Sequence, residues 1–331
     1  MNTRQLVYAS FRALGTVAEG ETPSDDMVNT GVECLNMLLD SMSAEELLPF
    51  DKVQRQIPLV ANKKVYVIGD GVVFDEDQIG TASATDTSFT IDTPVVFDVP
   101  RQIVFTPAAD ESTNTFVCTG TNQRGEIITE DVPGAGGSVP SYSEKLFKTV
   151  TAITMSALAG NCTAGSAPIT RTTRPIRIES GCFVRTVAGV DTPVLICSRE
   201  RYAEKENKNT AGTPTALFYD KQYPTGVIWL YPRPDDGTQE MFIEMWQPFK
   251  HVSTTDLSEI IFMPGEYLLA LKWNLAVELA PEYGRMVQDY VFQKSRESMN
   301  IIRAANGKPV VPLAWTTPKE IVQGQPAESQ V

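Results

Sequence analysis

The chain has 331 residues, a formal net charge of −13 and 42% hydrophobic residues, with one histidine and five cysteines. That length suffices for about two domains, and the apolar runs are too short and too charge-interrupted for a membrane span. The acidic balance excludes a protein that wraps duplex DNA through many phosphate contacts. Charge is also unevenly placed: residues 75–168 carry twelve acids against four bases, whereas Arg285, Lys294, Arg296, Arg303 and Lys308 bias the last helical stretch positive. Such asymmetry marks separate modules.

The N-terminal MNTRQLVYASF has neither an apolar h-region nor a small-residue cleavage site, so a signal peptide is not expected. Val7, Phe11 and Leu14 share one helical face, and Gly15 to Gly20 end that segment. Thr22-Pro23-Ser24-Asp25 predicts the start of a second helix, whose apolar face runs through Val28, Val32, Leu35 and Leu39 toward Asp40. Ser43 reads as the cap of a short turn. From Gln56 the period becomes two: Ile57 with Leu59 and Val65 with Val67 predict short strands before the turn Gly69-Asp70-Gly71. Between Phe74 and Ser166 the runs SFTID, PRQIVFTP, NTFVCTGTN, GEIITEDV and KLFKTVTAITMS alternate with turn residues at the spacing of an antiparallel sandwich. Low complexity is the rival reading, and the alternation of Phe116/Cys118 and Ile127/Thr129 favours folded strands.

Beyond Thr173, RPIRIESGCFVRT, TPVLICS, TALFYD, GVIWLYPRP and MFIEMWQP predict further strands, with Trp229 and Trp246 in the core. The charged RERYAEKENKNTAGTP between them reads as a short solvated helix and loop. Pro264–Gly284, PGEYLLALKWNLAVELAPEYG, is a helix with its start and stop written in. Pro264 fits the first turn, Glu266 complements the helix dipole, and Tyr267, Leu271, Leu275 and Leu279 recur at helical spacing. Leu268 and Trp273 widen that face, and Pro281 and Gly284 break the run. A second helix ends at Asn306-Gly307, and the tail 308–331 holds four prolines and little periodicity. The predicted fold is therefore α+β. A helical core with a small antiparallel β region (residues 1–70 and 169–307) is interrupted by an all-β Ig-like sandwich at 71–168, and 308–331 forms an extended arm.

Catalytic residues are sparse. His251 lies in the loop WQPFKHVST and reads as an ordinary surface histidine; no G-x-S-x-G accompanies any serine. The cysteines are scattered without C-x-x-C spacing, so reduced, packed thiols are expected in place of a zinc site or disulfide framework. No Walker A or G-x-G-x-x-G occurs, and GAGGS at 134–138 reads as a flexible turn. Glu266, Glu278 and Glu282 lie on or near one helix, but Glu266 and Glu278 are about 18 Å apart at the α-helical rise, too far for a carboxylate pair. No catalytic, cofactor or metal residue is assigned.

Three stretches resemble the head-to-tail adaptors (tail accessory, or packaged-DNA-stabilisation, proteins) of short-tailed bacteriophages. The first is Leu14-Gly15, Ala18–Ser24 and Leu35–Ser41. The second is Gly212, Pro214, Phe218-Tyr219-Asp220, Tyr223-Pro224, Gly226, Ile228, Leu230-Tyr231-Pro232 and Pro234. The third is the helix already described, with Pro264, Glu266, Tyr267, Leu279, Pro281, Glu282, Tyr283 and Gly284 as its motif residues. The resemblance implies a virion structural protein without enzymatic activity or cofactor, made in the host cytoplasm. It would form a ring of twelve subunits under the portal protein, pass packaged DNA without sequence-specific binding, and present a platform to a downstream tail or nozzle protein; no membrane is involved. In that setting the tail 308–331 is the portal-binding arm, anchored by Val311, Leu313 and Trp315. The rival functions are a cell-wall hydrolase, and a host-binding or decoration protein acting through its Ig-like module.

Overall fold

The computed structural model describes residues 1–18, 20–47, 52–69, 75, 77–137, 139–168 and 170–306, the side chain of Arg171 excepted. Helices α1 (Thr3–Leu14) and α2 (Asp25–Ala44) precede strands β1 (Lys52–Pro58) and β2 (Val65–Gly69). Eight strands follow: β3 (Gly80–Ala82), β4 (Val95–Arg101), β5 (Ile103–Pro107), β6 (Thr115–Thr121), β7 (Ile127–Pro133), β8 (Ser141–Tyr142), β9 (Phe147–Thr154) and β10 (Cys162–Ser166). Next come β11 (Thr170–Arg171), β12 (Arg177–Ile178), β13 (Phe183–Arg185), β14 (Asp191–Pro193), β15 (Leu195–Ile196) and the short helix α3 (Arg199–Ala203). The chain continues through β16 (Ala216–Asp220), β17 (Gly226–Tyr231) and β18 (Glu240–Trp246) to helices α4 (Gly265–Glu282) and α5 (Asp289–Asn306).

Two compact units result. One holds Met1–Leu35 and the described residues from Val252 onward; the other holds Asn36–His251. In the first unit, α1 is opened by a capping box in which Asn2 and Gln5 satisfy each other's backbone N–H, and Gly15 closes it. Leu6, Val7 and Phe11 are fully buried, as are Leu271, Leu275 and Leu279 of α4. Ser10 donates to the carbonyl of Lys272 at 3.0 Å, and Asn274 accepts from Ser295 of α5 at 2.8 Å.

The second unit consists mainly of two β-sandwiches. In the first, the order β1-β18-β13-β14 (with β12 also on β18) faces the order β11-β2-β17-β16-β15. Ile57, Tyr66, Ile68, Val184, Ile228, Leu230, Met241, Ile243 and Met245 form their shared core. In the other, β3-β10-β5-β8 packs on β4-β9-β6-β7. Its core includes Phe97, Phe105, Phe116, Phe147 and Cys162, with Phe105 and Phe116 stacked at 4.2 Å. The chain leaves the first sandwich at Gly69 and returns as β11, which lies parallel to β2 with Thr170 opposite Ile68.

This architecture corrects the predicted class. The structure is 31% strand and 25% helix, with four sheets and five helices among the described residues, so it is not a helical core with a small β region. Residues 52–69 and 170–246 supply a complete ten-strand sandwich. They read as a small β region because several of its strands span only two or three residues, too short for a periodic signal. Two smaller expectations also change. Among residues 88–92 only Ser88 makes a single bridge, to Thr154. Ser43 lies inside α2, where its hydroxyl accepts the N–H of Phe249 at 3.1 Å.

Candidate functional site

The motif residues of the third stretch divide by burial into scaffold and surface. Pro264 is the N-cap of α4 and makes no side-chain cap, while Glu266 stands exposed in the first turn. Tyr267 and Leu279 are buried, and the Tyr267 hydroxyl exchanges hydrogen bonds of 2.9–3.0 Å with the Asn306 amide. Pro281 lies within the last turn, exposed like Glu282, and Gly284 follows in the left-handed conformation (φ +57°). Tyr283 sets its ring edge-on to Phe11 at 5.3 Å, and its burial is the main cause pushing its hydroxyl pKa up. The C-terminal part of α4 is thereby fastened to α1. The anchors Val311, Leu313 and Trp315 lie outside the described residues.

The second stretch lies on β16 and β17. Gly226 is required there: a Cβ would stand 2.4 Å from the Tyr219 hydroxyl, which itself donates to the Pro175 carbonyl at 2.6 Å. Its Tyr223–Pro224 and Tyr231–Pro232 bonds are both cis. Trp229 and Trp246, placed in the core by sequence, are only half-buried. They alternate with the core residues Ile228, Leu230 and Met245. Trp229 lies 6.0 Å from Tyr202 of α3, and Trp246 donates to Glu179 at 3.2 Å. Tyr202 in turn is buried, while Arg199, Glu200, Arg201 and Ala203 are exposed, so α3 is the short solvated helix expected, held by one ring.

Unlike the scaffold positions, the outer surface of the helical unit carries large apolar side chains in water. Met286 is 93% exposed and Phe262 83%, and Leu269, Tyr290, Phe292 and Ile301 are about half exposed. Cations attend two of these: Arg296 lies 5.8 Å from the Phe292 ring centre and Lys294 5.9 Å from that of Tyr290.

Groups able to do covalent chemistry are poorly placed. The His251 Nε2 stands 2.8 Å from Asp40 Oδ1, both side chains being half exposed. The cleft around them includes Arg174, Tyr223 and Phe249 but neither serine nor cysteine among its described lining residues. All five cysteines are free, and burial pushes each thiol above its ordinary pKa, away from the reactive thiolate. No three His, Cys, Asp or Glu among the described residues form a metal-binding group.

One constellation escaped the sequence reading. Lys63, in the turn before β2, is only 3% exposed, and its ammonium faces the rings of Tyr142 (4.7 Å) and Tyr66 (5.3 Å). It lines a polar cavity of about 300 Å³ together with Lys64, Gln102, Glu144, Asn209 and Arg233. Lys64 binds Glu144 at 2.6 Å and Asn209 at 3.0 Å. No sequence signal singles out Lys63 and Lys64; only the distant Tyr142 and Gln102 make their turn a cavity.

No protein-family model matches the chain, and no curated protein is significantly similar to it.

Proposed function

We propose that the chain is a structural head-to-tail adaptor of a tailed phage. In this reading twelve copies form a ring under the portal, extend the DNA channel, help retain the packaged genome and give the next tail protein its platform. The observation that carries the reading is the helical unit. Two of the three motif stretches contribute to it, Leu14, Leu35, Tyr267 and Leu279 of those stretches are buried as scaffold, and apolar groups left in water elsewhere on the unit are available to a neighbour. A ring needs unlike surfaces that meet head to tail, and the exposed Tyr290 and Phe292 with their neighbouring Lys294 and Arg296 on an otherwise acidic chain suit one of them. The acidic balance also suits a conduit that must let a duplex slide. The tail 308–331 serves as the arm that orders on the portal, with Val311, Leu313 and Trp315 as its anchor.

Electron microscopy of the protein mixed with its portal tests the proposal. A twelvefold ring on the portal's narrow end is the expected result. Absence of any complex, at concentrations where both proteins are folded, would overturn it.

A further inference from the structure

We propose that the cavity beside Lys63 is a binding site for a small oxyanion of the phosphate class. The inference is independent of the adaptor reading. Three cationic side chains, Lys63, Lys64 and Arg233, line the cavity against one acid, Glu144. Glu144 is already engaged by Lys64 at 2.6 Å. Lys63 therefore has no carboxylate partner among the described residues, only two tyrosine rings, although it is almost wholly buried. An ammonium withdrawn from water without a counter-charge is costly, and an anion in the cavity removes that cost.

Two further groups match the same ligand. Arg233 keeps a buried Nε–H without a partner, and Gln102, 2% exposed, keeps its Oε1 unpartnered. Lys63 and Arg233 can donate to the oxygens of a phosphate, while Gln102 can accept from a P–OH group; a carboxylate would leave that acceptor unused. The walls are fixed before any ligand arrives. Gln102 Nε2 donates to the Ser143 carbonyl at 2.5 Å, and Ser143 Oγ accepts the N–H of Ile103 at 2.8 Å. On the other wall the N–H of Gly134 donates to the Asn114 carbonyl at 2.9 Å, and a Cβ at 134 would stand 2.1 Å from the Glu111 carbonyl oxygen. The Gly134–Gly136 stretch, read from sequence as part of the flexible turn 134–138, is thus a pinned rim, and such preorganisation favours a compact ligand. Desolvation pushes the Lys63 pKa down to about 8, so the ammonium is still protonated at neutral pH and able to hold an anion.

Titration calorimetry on the full chain at pH 7 tests the site with inorganic phosphate, glycerol 3-phosphate and, as a carboxylate control, acetate. Saturable binding of either phosphate probe is expected, weakened about tenfold or more in Lys63→Met and in Arg233→Met, both verified as folded by circular dichroism. Tighter binding of inorganic phosphate identifies a free ion, and tighter binding of the monoester an esterified phosphate. No saturation of the wild-type chain by either phosphate up to about 10 mM, a weak limit on the affinity scale, overturns the proposal. Equal binding by the folded variants, or tighter binding of acetate, overturns it as well.

Discussion

Lys63 and Glu111 show two opposite fates of a buried charge. Glu111 is 1% exposed, and its carboxylate accepts from Ala159 N (2.8 Å), Gly160 N (3.1 Å) and Asn114 Nδ2 (2.5 Å). Replacing it with alanine strands three donors inside the second sandwich, and we expect a loss of about 3 kcal/mol in chemical denaturation. Lys63 lacks such partners, so its removal should act the other way. Its folded pKa of about 8 lies below the ordinary 10.5. Between those values the unfolded chain binds the proton that the folded chain has released, so stability should rise with pH across that window. The cost is fully present below pH 8. Around Lys63 stand Lys64, Glu144, Arg233, Tyr142 and Tyr66, and burial pushes the Tyr66 hydroxyl further up, so it adds no titration there. Lys63→Met should therefore stabilise the ligand-free protein by about 1–3 kcal/mol at pH 7 and flatten the rise between pH 8 and 10.5. Unfolding curves at pH 7, 9 and 10.5 decide this; a destabilised Lys63→Met at pH 7 would refute the assignment.

At the scale of elements, helices were legible and the β architecture only partly so. The buried positions Val28, Val32, Leu35 and Leu39 of α2, and Tyr267, Leu271, Leu275 and Leu279 of α4, follow a 3.6-residue period over 18–20 residues. Local physics suffices there. The strands β11 to β15 span two or three residues each, and their place is set by pairing with β2, β16 and β18, which no local window contains. Trp229 and Trp246 were misread for a related reason. On a strand with one face in the core, an aromatic residue one position out of register faces the other way. The Tyr219–Gly226 contact gives this scale its test. Gly226→Ala forces the methyl group against a tyrosine ring held by Pro175, and a loss of about 1–3 kcal/mol is expected. Tyr219→Ala/Gly226→Ala should then be less destabilised than the sum of the single changes; strict additivity in denaturant titrations would exclude the clash.

For the whole molecule the testable quantity is assembly. Deleting residues 309–331 should leave the thermal unfolding of the isolated chain within about 1–2 °C of wild type, because that segment is read as uncommitted until it meets a partner. The same deletion should abolish co-sedimentation with the portal; retained binding would move the interface elsewhere. Substituting Met286 and Phe292 with serine should weaken ring formation by about tenfold or more while the unit stays folded, since neither side chain is part of the core. Analytical ultracentrifugation with and without portal reads both effects. The motif helix α4 itself was legible in sequence. The exposed apolar side chains were not, because exposure of Met286 or Phe262 depends on what the rest of the fold leaves uncovered.

The adjacency of Gly69 and Thr170 has a consequence for how such a chain can change over time. Because the two ends of the intervening hundred residues meet on neighbouring strands, the first sandwich presents a socket into which a self-contained module can be plugged. Swapping that module would alter the surface it presents and leave the remaining framework in register. The cavity around Lys63 draws one wall from each side of the socket, Lys63 and Arg233 from the host framework and Gln102 and Glu144 from the guest. Any exchange of the guest therefore rewrites that cavity, and an oxyanion held there would report which guest is installed.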